Sequence, residues 1–209
     1  MFRTKTIVLF FVKTVVIYLV LSAPFSFYDE TYGSLFRKSS EVIFKRFDQN
    51  GFLKLLPTDA PHASSLYVGN YTQIAQDGQA HCAIYKLNTR HFGYLPTILL
   101  IALILGSPVN WKRKLTSLII GFFLISALIL FKEWIYIQQI CIEKPWLMLY
   151  NFSETRKTFI EHFFNSYVSP TAPSLLFTII LWILLIFKRK DFVINEIIPV
   201  KKGDVKKSS

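Results

Sequence analysis

Four long, predominantly apolar runs, residues 6–22, 92–109, 115–131 and 171–187, constrain this chain more than any motif does. A helix rises about 1.5 Å per residue and a bilayer's hydrocarbon core is about 30 Å thick, so each run is close to the shortest that crosses. The expected architecture is therefore a mainly α membrane protein with four transmembrane helices and a small extracytoplasmic α+β domain. Such short spans leave little room for tilt. Composition agrees, since 52% of the 209 residues are hydrophobic, too many for an ordinary soluble domain.

Orientation follows from the basic residues. With the N-terminus inside, the inner pieces carry twelve lysines and arginines against three acids, a surplus of +9. Segments 23–91 and 132–170 carry eleven against ten, a surplus of +1. The positive-inside rule then puts both termini in the cytoplasm and the two longer segments outside a bacterial inner membrane. The net charge of +11 is read as topology and contact with anionic lipid, not as nucleic-acid binding. Arg3 and Lys5 precede the first run as in a secretory signal, but Leu21 is not the small residue a cleavage site wants before Ala23. An uncleaved anchor is expected.

The chain thus divides into an anchor (1–22), an extracytoplasmic α+β domain (23–91), a transmembrane hairpin (92–131), an extracytoplasmic amphipathic loop (132–170), a last transmembrane helix (171–187) and a basic cytoplasmic tail (188–209). In the α+β domain, Tyr32, Leu35, Phe36, Val42, Ile43 and Phe47 recur at helical spacing. Runs 52–56, 65–71 and 81–87 read as three antiparallel strands. The second outside segment is aromatic, and Phe159, Ile160, Phe163, Phe164 and Tyr167 form one helical face after a cap at Ser153 and before the break at Pro170. Lys132 and Glu133 read as interfacial charges.

Chemistry is sparse. There is no C-x-x-C, no zinc spacing, no glycine-rich phosphate loop and no G-x-S-x-G, so no cofactor or metal is expected. Cys82 and Cys141 both fall outside, where thiols can pair in a disulfide. His81 and Cys82 are neighbours in a strand and point to opposite faces. Arg90 and His91 stand at the threshold of the second run, where Gly93 permits an unusual turn and Pro96 suits a first helical turn. One reading is anchoring: Arg90 on lipid phosphate, with Tyr94, Trp111, Trp134 and Tyr136 in the aromatic belt. The other is catalytic, with Arg90 stabilising an oxyanion beside a nucleophile and a base.

Cys82, Arg90 and His162 resemble, residue for residue, the roles found in exosortases and archaeosortases. That likeness implies a membrane-embedded cysteine transpeptidase, although Cys82 lies ten residues before the apolar run. The layout of anchor, outside domain and "RHFGYLPTILLIALILGSPVNWKRKL" is similar to a group of uncharacterised bacterial membrane proteins, which implies no activity. The function expected is an accessory or scaffold subunit of a cell-envelope assembly, with the bilayer and an envelope protein as partners. The transpeptidase is the alternative.

Overall fold

Residues 4–23, 26–45, 47, 50–58, 62–74 and 80–187 are described by the computed structural model. In chain order they form α1 (Thr4–Ser22), α2 (Ser26–Phe44), β1 (Gly51–Pro57), β2 (Ala63–Ile74), β3 (Ala80–Asn88), a π-helical turn at Arg90–Tyr94, α3 (Leu95–Gly106), α4 (Trp111–Glu143), a 3₁₀ turn at Pro145–Leu147, α5 (Glu154–Phe163), a second π-helical turn at Phe164–Val168 and α6 (Thr171–Ile186). The basic tail 188–209 and the breaks between strands that Asp59-Ala60-Pro61 and Asp77-Gly78 lead one to expect lie outside the described residues.

Among the described residues two helices, Lys5–Ser22 and Trp111–Glu143, are long and apolar enough to cross a membrane, and a third counts only if α5 and α6 are taken as one span bent by 74°. The expectation of four full-length spans is corrected here. Pro170 sets the bend, because it cannot continue a helix from the preceding turn. α3 has 12 helical residues, about 18 Å, shorter than the apolar run containing it, since Ser107 and Pro108 end it early. α1 is rich in valine and isoleucine, which are stiff in a helix. As a helix it satisfies its interior backbone groups within the segment, the condition that a hydrocarbon surrounding would impose. Thr14 is its one fully buried described side chain, while Val8, Phe11, Val15 and Leu19 face outward.

α3 is buried nearly all round, as befits a helix with no polar face. It lies against α1, α4 and α6. Gly106 lets the crossing with α1 close, because a methyl group there would collide with the Thr14 hydroxyl. At the same end Phe10 stacks on Trp182 at 5.4 Å, and Trp182 Nε1 donates to Ser107 Oγ at 2.8 Å. Arg113 donates to the carbonyl of Ile186, the last residue of α6. The chain therefore runs up α1, back along α3, up α4 and back along α6.

The sheet is a three-stranded antiparallel meander in the order β1-β2-β3, as the alternation predicts. Leu53 pairs Val68, Leu55 pairs Leu66 and Val68 pairs Ala83, which puts these buried residues on one face. That face closes on α2, but by only half of the predicted stripe: Tyr32, Phe36 and Phe47 pack on the core. Phe36, Ser40 and Phe44 are buried, whereas Leu35, Val42 and Ile43 are exposed. Helical spacing allowed both faces; the choice went to the one that carries Ser40, for a reason found in α4.

α4 has 33 residues, about 50 Å, roughly 20 Å more than the thickness of a bilayer's hydrocarbon core. Its first half exposes Leu115, Ile119, Phe122 and Phe123, and its last part buries Ile135, Ile137 and Ile140 among the domain's residues. The boundary expected at 131/132 falls inside this single helix.

Candidate functional site

Lys132 and Glu133 are the centre of the molecule, not charges at its rim. Consecutive helical residues diverge by about 100°, so the two side chains leave α4 toward different neighbours. Glu133 is 0% exposed, and its Oε2 accepts the Ser40 hydroxyl at 2.7 Å. Its other oxygen is buried with no hydrogen-bond partner among the described residues, an arrangement that disfavours an apolar replacement for Ser40. Tyr32 lies about two helical turns before Ser40 on the same α2 face, its hydroxyl against Gly93, where a methyl group would not fit. Burial raises the Tyr32 pKa well above the usual phenol range, Thr97 lowers it as a hydrogen-bond partner and the Glu133 carboxylate raises it further, so Tyr32 is protonated.

Lys132 is 5% exposed and turns toward α6 and the first π turn. Its Nζ donates to Ser174 Oγ at 2.7 Å and to the Phe92 carbonyl at 3.5 Å, and it sits 4.6 Å from the centre of the Phe92 ring. None of these groups is an anion. Beside it is a cavity of about 240 Å³, reached past Lys86 and His91 and bounded by both π turns and the start of α6. π turns within helices often mark functional positions, because each interrupts the ladder to re-aim side chains. Sequence reasoning passed over this cavity; the one available signal was a lysine–glutamate pair inside a stretch that stays apolar on both sides.

The residues singled out from sequence are dispersed. Cys82 lies in β3 opposite Gly69, six strand residues from Asn88, which at about 3.3 Å per residue is roughly 20 Å from the β3 end that leads to Arg90. His162 is exposed on α5. The structure does not bring a cysteine, an arginine and a histidine together, and Arg90 is occupied: its Nη2 donates to the Ser22 carbonyl at 2.6 Å and its Nη1 lies 3.3 Å from His62 Nε2. Tyr94 donates to the Leu21 carbonyl at 2.6 Å. Both residues therefore cap the last carbonyls of α1, which have no partner within the helix, and a cation is favoured at that end. Arg90 and Tyr94 thus have partners within the protein, where lipid was the partner expected.

Of the other expected anchors, Tyr136 is half-buried among Tyr85, Phe92 and Phe164, whereas Trp111 and Trp134 face outward. Cys82 and Cys141 are separate thiols, not a disulfide; Cys82 is half-buried and Cys141 is buried in α4. Among the described residues no cluster of three or more histidines, cysteines and acids is placed to hold a metal. No protein family, curated protein or solved structure matches the chain.

Proposed function

We propose that the protein is an integral membrane scaffold or accessory subunit of a cell-envelope assembly, holding a small outside domain in a fixed pose on its membrane helices. The supporting observation is α4. One unbroken helix supplies an apolar outer surface along its first half and the core of the sheet domain along its last part, so the domain cannot swing free of the bundle. Further ties reinforce it: Asn70 Nδ2 donates to the Leu147 carbonyl at 2.9 Å, the Tyr150 hydroxyl to the Phe47 carbonyl at 2.9 Å and the Tyr85 hydroxyl to Glu143 at 2.9 Å. Leu35, Val42 and Ile43 on α2 remain exposed as apolar surface that suits a protein partner. The charge partition supports a topology with this domain outside and both termini in the cytoplasm.

Two measurements test the reading. Reporter fusions after Ser64 and Ser153 should report outside and one after Lys190 inside; the same side for Ser64 and Lys190 defeats the topology. Mild cross-linking in native membranes followed by affinity purification should recover a stoichiometric envelope protein. Loss of that protein on Val42→Asp, with the chain itself still inserted, supports the scaffold, and its absence from the wild-type preparation sinks it.

A further inference from the structure

A buried ammonium without a counter-ion is costly, because its lost hydration is not repaid by a partner charge. Lys132 is such a group: it is 5% exposed, its two hydrogen-bond acceptors are neutral oxygens, and among the described residues no carboxylate lies within ion-pair distance of it. An ammonium has three donors, and two are used. The cavity beside it is lined by Lys86 and His91 as well, and among the described residues by no acid. Ser169 and Thr171 add hydroxyls on the same wall. Thr171 also opens α6, a 16-residue helix whose first N–H groups lack intrahelical acceptors and whose dipole favours an anion there.

We propose that this cavity binds a phosphate group, with Lys132 at its floor and Lys86 and His91 at its mouth. The choice of anion follows from the donors. Arginine forks, which match planar carboxylates, do not line it, while lysine point charges, hydroxyls and a helix N-terminus suit a tetrahedral phosphate. Size permits it: about 240 Å³ is several times the roughly 30 Å³ that one water occupies in the liquid. The binding is independent of the scaffold role.

A phospholipid headgroup and a soluble phosphate ester share this chemistry, and the position speaks to the first source. Phe131, Trp134, Phe163, Tyr167 and Phe177 form a chain of ring contacts along the same flank, the kind of belt that sits at headgroup level. An apolar groove of about 350 Å³ along Tyr167, Leu176, Phe177 and Ile180 follows the outer face of the same corner, suited to an acyl chain.

The experiment is thermal unfolding of the full chain in a neutral maltoside detergent free of phospholipid, titrated separately with inorganic phosphate, with phosphatidic acid in mixed micelles and with oleate as a phosphate-free anionic amphiphile. A rise in melting temperature with phosphatidic acid but not oleate supports a lipid phosphate, and a rise with inorganic phosphate as well supports a soluble source. Lys132→Met should weaken the response roughly tenfold or more, as loss of a charge-assisted bond does. The exposed pair Lys86→Gln with His91→Gln should weaken it too, and serves if the buried substitution does not fold. Equal responses to oleate and phosphatidic acid, no response to either phosphate, or a response unchanged in both variants overturns the proposal.

Discussion

Ser40 and Glu133 are 93 residues apart and share a buried hydrogen bond of 2.7 Å. This bond explains why α2 turns Phe36, Ser40 and Phe44 inward and leaves Val42 outside at 80% exposure. A carboxyl group with 0% exposure demands a donor more strongly than a valine demands burial, because an unmade bond to a buried charge outweighs one apolar side chain.

Ser40→Ala should therefore destabilise the protein by about 1–3 kcal/mol, the cost of leaving the second Glu133 oxygen unpartnered. Replacing both residues, as Ser40→Ala with Glu133→Leu, should recover much of that loss. Thermal unfolding of the four members of the cycle measures the coupling; additive effects would mean that the bond carries nothing.

Arg90 bridges the Ser22 carbonyl and His62 with two nitrogens, a reach that one ammonium lacks. In lipid-free neutral micelles Arg90→Ala should cost about 1.5–3 kcal/mol, with Arg90→Lys between it and wild type. A silent Arg90→Lys, with loss on Arg90→Ala appearing only when anionic lipid is added, would return Arg90 to lipid anchoring.

Gly106→Ala should destabilise by about 1–3 kcal/mol through overpacking, since the new methyl group meets Thr14. Adding Thr14→Ala removes the hydroxyl and should restore most of the loss. Failure of that rescue in unfolding measurements would show that the α1–α3 crossing is not what Gly106 serves.

The cysteines should differ in reactivity. Cys82 is half-buried and Cys141 is 5% exposed, so a maleimide should add quickly to one thiol in the folded protein and to the second only after unfolding. A folded, non-reduced protein that gains none, and gains two only after reduction, would establish a bridge between them.

Elements whose signals are local were legible from the residues alone. Alternation in "SLYVGN" gave β2 and its inward face, apolar length gave α1 and the first part of α4, and Pro170 gave the break before α6. Even the lengths were only partly legible, because the apolar run 92–109 continues past Gly106, where α3 stops. Tertiary structure decided the polar residues. Arg90 and Tyr94 read as anchors because their partners, the end carbonyls of α1, lie 68 and 73 residues away. Lys132 and Glu133 read as rim charges because nothing nearby in sequence reveals Ser174, Phe92 or Ser40. Periodicity reports which side of an element is apolar, but a buried polar group is settled by the donor or acceptor that packing delivers from elsewhere in the chain.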